Sequence, residues 1–259
     1  MSHRARRGRR SPPRVSGAAE ERDPPGRKGG PEAGGEGSRS RAVEDYLKAV
    51  YKLQQVTPSV STSALAQELD RSAASVTNMV QALGERSLLE YEPYRGVRLT
   101  PQGELAALRI IRRHRVLELY LIQKLGFSWD HVHAEAERLE HAASDHLIDQ
   151  MAKALGEPSF DPHGSPIPTR EGEMTAHEVI CLSDLSPGTR AVVREVADES
   201  PESLRRLASL GLYPGTRLRC RSREGAGGDL RLEVEGEERR VEQQLARTVS
   251  VEIVSGERG

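Results

Sequence analysis

The sequence predicts a mainly α chain that ends in a small β-barrel. Its N-terminal part reads as a winged helix-turn-helix followed by a helical dimerisation domain. Three observations carry this. Apolar residues recur at helical spacing from Val43 to Leu155, broken by one short apolar hairpin. A Pro- and Gly-rich stretch, Glu157 to Glu173, interrupts the pattern. Beyond it the spacing changes to the alternation of strands.

Residues 1–40 are mostly Arg, Gly, Pro, Ser and Glu, with little to bury, and are expected to be a disordered tail. Arg4 through Arg14 is strongly basic, fitting either a solubilising tail or a non-specific DNA-binding arm. Order is expected from about Arg41, where Val43, Tyr46, Leu47 and Val50 make an amphipathic helix. Ser61-Thr62-Ser63 offers caps for a short helix bearing Leu65 and Leu69. After the turn Asp70-Arg71-Ser72, a helix capped by Ser72 carries Val76, Met79, Val80 and Leu83. Two short helices across a tight turn fit a helix-turn-helix, and Leu88–Leu99 adds a hairpin, the wing. The reading domain is set at residues 41–104.

The second helix of the motif should enter the major groove, showing Ser72, Ala74, Ser75 and Asn78. Asn78 can bond a base edge, and small side chains allow close approach. Arg71, Arg86, Arg95 and Arg98 are placed for phosphates. The net charge of −1 gives the whole chain no field that attracts nucleic acid, so such binding must be local. Aromatics at 3% argue against a single-strand stacking platform.

Thr100-Pro101 starts a long helix through Leu105, Leu108, Ile111, His114, Leu117, Glu118 and Leu121 to Gly126. A second helix is expected from about Ser128 and a third from Ser144 to Leu155. Their apolar surface exceeds what a small winged domain covers, so residues 105–157 read as a dimer-forming unit. A linker over 158–176 leads to strands near Thr189–Val196, Thr216–Ser222, Leu230–Val234, Arg239–Val241 and Val249–Val254, with a helix at Pro201–Leu210. Residues 177–259 are expected to form the barrel.

The stretch His133–His141 carries the chemistry. On a helix His133, Glu137, Glu140 and His141 share one face, so two imidazoles and two carboxylates converge. Nitrogen and oxygen donors without thiolate suit a divalent first-row metal. His114 and Glu118 repeat the i, i+4 spacing upstream. The bland alternative is a solvated helix face that is merely structural. Cys181 and Cys220 form no Cys-x-x-Cys pair and read as thiols of a reducing cytoplasm. No apolar run reaches the length of a membrane span, so no membrane partner is expected. No nucleophile or His-Glu-x-x-His motif suggests an enzyme or a small-molecule substrate.

Glu44-Asp45-Tyr46-Leu47-Lys48-Ala49-Val50-Tyr51, Glu135–His141 and Pro162-His163-Gly164-Ser165-Pro166-Ile167-Pro168 together resemble the DtxR/MntR family of metal-dependent transcriptional repressors. The resemblance is close over residues 41–170, and the C-terminal part is similar to the SH3-like (FeoA-like) third domain. It implies a primary, activating centre of Asp45, Glu137, Glu140 and His141, and an ancillary one of His114, Glu118 and His133. The iron-sensing branch has Met and Cys where this chain has Asp45 and Glu137, so the sulfur donors are gone and Mn²⁺ is favoured, with Fe²⁺ close behind. The manganese branch has a Glu where this chain has Lys48, and an ammonium cannot ligate, which argues against the compact two-metal arrangement. In the iron branch a Glu and a Gln from the barrel reach the ancillary metal. Here serines fall at both positions within Asp198–Ser203, with Glu199 or Glu202 as substitutes or as helix N-terminal carboxylates. The implied activity is a cytoplasmic homodimer that binds a palindromic operator in double-stranded DNA when Mn²⁺ or Fe²⁺ ties the first helix to the dimer domain. The rivals are a metal-independent winged-helix regulator, a metallohydrolase on the same ligands, and an accessory of iron transport suggested by the barrel alone.

Overall fold

The structure is a computed structural model describing residues 34–92, 95–175, 177–197, 200–225 and 228–254, with side chains from Arg41 onward. The basic stretch Arg4–Arg14, the wing residues Pro93 and Tyr94, and Asp198 and Glu199 lie outside the described residues. Helix α1 spans Gly34–Gln54. It thus begins before the expected onset near Arg41. Gly and Ser have low helix propensity, so this extension continues a ladder nucleated by the apolar turns beyond it.

Helix α2 (Thr62–Glu68) is capped by Ser61, whose Oγ accepts from the Ala64 amide at 3.1 Å. Helix α3 (Ala73–Glu85) is capped by Ser72 in the same way. Strands β1 (Leu89–Glu92) and β2 (Gly96–Leu99) pair antiparallel as the wing, and Val60 bridges to Val97. Tyr46, Leu47, Val50, Leu65, Val76, Val80, Leu83 and Val97 make one buried core, so α1 is fastened to the reading motif. Full burial of one such Leu or Val contributes roughly 1.5–3 kcal/mol.

Helix α4 (Pro101–Leu125) starts on Thr100, which accepts from the Gly103 amide, and stops at Gly126 in a left-handed cap with φ 74°. Gly103 lies against the Leu88 carbonyl, where a Cβ would overlap it. Helix α5 covers only Val132–Leu139. The expected helix from Ser128 through His141 is therefore shorter at both ends. The amides of Ala142 and Ala143 both return to the Leu139 carbonyl, and Ser144 caps the next helix, α6 (Asp145–Ala154). That tight turn leaves Glu140 at the cap and His141 outside the helix. Val116, Leu117, Leu119, Ala136, Ile148 and Ala152 share a second core.

The stretch expected as a linker is packed instead. Asp161, His163 and Ile167 are buried, and Asp161 Oδ1 accepts from the His163 and Ser165 amides at 2.8 and 2.9 Å. Its prolines and glycine build a fixed loop, not a tether.

The C-terminal unit holds β3 (Ile180–Cys181), β4 (Arg190–Val196), α7 (Pro201–Ser209), β5 (Arg217–Arg223), β6 (Leu230–Val234), β7 (Glu237–Val241), α8 (Gln243–Ala246) and β8 (Val249–Ile253). Its antiparallel strands run β3-β8-β4-β5-β6-β7, with register shifts in β4 and β5 that bend the sheet around Val193, Leu204, Leu207, Leu232 and Val251. β3 and α8 were not expected, being too short to show a period. The unit seats on the packed loop: the Val196 amide donates to the His163 carbonyl at 2.8 Å, and Gly164 abuts the Arg194 carbonyl. Trp129 packs against its core and stacks on His163, with ring centroids 5.2 Å apart. Among the described residues, no helix is long and apolar enough to cross a membrane.

Candidate metal centres

α1 and the turn after α5 meet at Asp45, Glu140 and His141, whose ligand atoms lie within 4.8 Å of one another. Asp45 comes from the reading domain's helix, and the other two from the helical domain. Glu140 is fully buried and His141 nearly so. The Nδ1 of His141 lies 2.6 Å from Glu44 Oε2, which fixes the tautomer and turns Nε2 inward. That Nε2 is sealed from solvent and has no hydrogen-bond partner among the described residues, although Asp45 Oδ1 is 2.9 Å away and Glu140 Oε1 3.5 Å. Contact at this distance without hydrogen-bond geometry is what donors aimed at a shared ion, not at each other, look like. Burial raises the pKa of Asp45 above its ordinary range, against the pull of His141. A cation between these groups would lower that cost. The nitrogen and oxygen donor set fits a first-row dication.

Glu137 does not join this group. It takes the ammonium of Lys48 at 2.7 Å. Burial works against its charge, but Lys48 outweighs it and holds the carboxyl below the usual range. Arg113 anchors the outer side, bonding Glu44 at 3.1 Å and Asp145 at 2.8 Å.

His114, Glu118 and His133 form a second group, as the sequence suggested. His114 Nε2 lies 2.9 Å from Glu118 Oε1 and 3.0 Å from His133 Nδ1, which is itself 3.2 Å from Glu118 Oε1. The other nitrogen of His114 faces Glu140 Oε2 at 2.5 Å, so the two groups touch through one imidazole. Burial opposes the charges here. Bonds to Glu118 and Glu140 nevertheless raise His114, and bonds from His114 and His133 depress Glu118. The shared helix face of His133–His141 therefore divides: His133 serves this group, while Glu140 and His141 serve the first.

Two residues here were not singled out as ligands from the sequence. Asp161 and His163, on the packed loop, form a buried trio with Glu118. His163 Nδ1 is 3.9 Å from Glu118 Oε2. Burial, then the Glu118 charge, push Asp161 up to about 6. The only sequence signal is Asp161-Pro162-His163, a pair two residues apart in a loop. Glu202 sits exposed on the first turn of α7, and Ser200 caps that helix.

On the reading face Arg71, Ser72, Ala74, Ser75, Asn78, Arg95 and Arg98 are all exposed. Arg95 pairs with Glu92 at 3.1 Å. Exposed pairs of this kind hold by ~0–1 kcal/mol and exchange readily for another anion.

Comparison with known proteins gives three domain matches. Residues 39–97 match the iron dependent repressor N-terminal DNA binding domain. Residues 100–169 match the metal binding and dimerisation domain of those repressors, and residues 180–253 the FeoA domain. The iron-dependent repressor IdeR of Mycobacterium tuberculosis is 29% identical over 198 residues, 71% of this chain and 86% of IdeR. An HTH-type transcriptional regulator of Methanocaldococcus jannaschii is 33% identical over 113 residues, 43% of this chain and 90% of that protein. A manganese-dependent transcriptional repressor solved with manganese superposes with a TM-score of 0.76 at 34% identity, covering 82% of this chain and 100% of that one.

Proposed function

Because this chain belongs to the DtxR/MntR family of metal-dependent transcriptional repressors, we propose that Mn²⁺ or Fe²⁺ at Asp45, Glu140 and His141 sets its grip on DNA. It acts as a cytoplasmic homodimer on a palindromic operator. One observation carries the reading: these three donors straddle the joint between α1 and the helical domain, with the buried Nε2 of His141 turned into the gap. A bound dication supplies positive charge there and a rigid link between the two sides. Asp45 holds the reading side, because α1 shares the reading domain's core. Glu140 and His141 hold the dimer side, and Glu44 keeps the imidazole in the ligating tautomer. Ser72, Ala74, Ser75 and Asn78 then face base edges, while Arg71, Arg95 and Arg98 neutralise phosphates. Leu139 and Leu147 stay exposed on the single chain and suit a dimer contact.

His114, Glu118 and His133, with Asp161 and His163 behind them, make an ancillary centre that braces α4, α5 and the packed loop. With no sulfur donor in either set, manganese is the better-matched ion and iron the second. The family is one of repressors, not of enzymes, and the reading with a purely structural His/Glu face is not favoured.

The test is binding to an operator selected from random DNA, at fixed salt, in EDTA, Mn²⁺ or anaerobic Fe²⁺. Metal is expected to tighten binding by roughly 5–150-fold, the span of ordinary allosteric coupling. Asp45→Ala is expected to remove the gain. Equal affinity in EDTA and in both metals sinks the proposal.

A further inference from the structure

Lys48 follows Asp45 by three residues on α1 and reaches into the same carboxylates. Its Nζ lies 2.7 Å from Glu137 Oε1, 2.9 and 3.0 Å from the two oxygens of Glu140, and 3.4 Å from His114 Nδ1. Those same three residues, His114, Glu137 and Glu140, form a further group whose donors lie close enough to share an ion. This group and the Asp45 group have Glu140 in common. A place built like half of a paired-ion centre therefore holds an ammonium.

We propose that Lys48 is a tethered cation that plugs the His114, Glu137 and Glu140 group, limiting the joint to one exchangeable ion on its Asp45 side. The inference rests on the metal-sensing reading above. Two arguments support it. The ammonium fills the space among His114 Nδ1, Glu137 Oε1 and Glu140 that a second ion would need, and its charge repels a dication from that space. And Glu140 is fully buried, so its charge must be compensated before any ion arrives. Lys48 supplies that compensation permanently. It also draws α1 towards the end of α5 in the metal-free protein, so the bound ion completes a joint that is already half closed.

Removing the ammonium should open the second place. The experiment counts Mn²⁺ per subunit by equilibrium dialysis on the full chain and on Lys48→Met, with electron paramagnetic resonance of both. Lys48→Met is expected to bind one more Mn²⁺ per subunit than the wild type. It should also show the exchange-coupled signal of two ions sharing a carboxylate, roughly 3.5–4 Å apart as in two-metal sites. Lys48→Arg should keep the wild-type count, and Lys48→Gln provides a second neutral variant if Lys48→Met misfolds. A wild type that binds Mn²⁺ while neither neutral variant gains an ion overturns this inference and leaves the metal-sensing reading standing. A coupled signal in the wild type overturns it too. No Mn²⁺ bound by any of them overturns both.

Discussion

The two ligand groups are built from the same residue types but straddle different joints. Asp45 belongs to a helix whose Tyr46, Leu47 and Val50 pack in the reading domain's core, while Glu140 and His141 follow a helix whose Ala136 packs in the helical core. His114, Glu118 and His133 all sit on α4 and α5, which share that second core through Val116, Leu117 and Ala136. An ion does work on orientation only if its ligands differ in arrangement between two states. The first group meets that condition across two cores. The second ties together elements already packed, and stiffens them. On the reading proposed above, similar oxygen and nitrogen donors make a switch in one place and a brace in the other.

The sharpest way to break this comparison is to remove one residue from each group. Glu140→Ala deletes a donor of the first group and takes from Lys48 and His114 one of their two carboxylate partners, leaving Glu137 and Glu118. The stability cost should stay below the roughly 3–5 kcal/mol of a buried charge left wholly unpaired. Operator affinity in Mn²⁺ should fall to the EDTA level, a loss of the whole gain of roughly 5–150-fold. His133→Ala, on a half-exposed residue, should lower the metal count by one and shift operator affinity by only a few-fold. Titration of operator by fluorescence anisotropy checks both. Equal losses in the two variants erase the distinction between switch and brace.

What the sequence made legible follows from where its signals are local. Ser61, Ser72, Thr100 and Gly126 cap helices where expected, because caps depend on neighbours within four residues. The ligand stripe was only partly legible. Helical spacing put His133, Glu137, Glu140 and His141 on one face, but the helix ends at Leu139 and the stripe serves two groups. Asp161 and His163 could not be ranked as ligands, since a loop has no period and their partner Glu118 is more than forty residues away. Lys48 was readable as a residue that cannot ligate. That its ammonium lies among Glu137 and Glu140 is a fact of three dimensions. Pro and Gly in residues 157–173 signalled a break in secondary structure, and they do not distinguish a loose linker from a packed loop.

That packed loop offers a smaller perturbation on the brace side. Gly164 has φ 89°, a conformation that L side chains rarely adopt, and a Cβ there would overlap the Arg194 carbonyl of the C-terminal sheet. Gly164→Ala should therefore unseat the sheet from the loop, breaking the Val196 to His163 bond and the Ser165 to Glu195 bond. A loss of about 1–3 kcal/mol is expected from the strained backbone alone. Limited proteolysis should cut near residues 170–178 faster than in the wild type. Metal-dependent operator binding should change little, because Asp45, Glu140 and His141 lie on α1 and the turn after α5, not on the loop or the sheet. A variant that loses metal response while keeping its Asp45 group would assign the sheet to the switch.

The smallest effect separates the metal-free from the metal-loaded protein by the sign of their pH dependence. Asp161 is raised to about 6 by burial and the Glu118 charge, so its contribution to stability is full below its ordinary value near 3.8 and is lost as pH rises through 6. His114, raised above 6.5, acts in the same direction, its contribution fading as pH rises beyond that value. Glu118 and Glu137 are depressed, so their contributions hold above 4.5 and are lost only as pH falls below it. The loss from Asp161 falls between about 3.8 and 6 and that from His114 above 6.5, so the two act in succession, and the protein in EDTA should melt at a lower temperature at pH 8 than at pH 5. Ligands must shed protons to bind an ion, so stabilisation by Mn²⁺ should instead grow over the same interval. Thermal melts at the two pH values, with EDTA and with Mn²⁺, read both slopes. Asp161→Asn, which removes the titrating carboxyl but keeps the shape, should flatten the EDTA slope below pH 6 and leave the His114 part above 6.5. An EDTA slope that rises with pH in the wild type would mean that the charge of Asp161 is compensated within the metal-free loop, and the brace would then owe nothing to the ion.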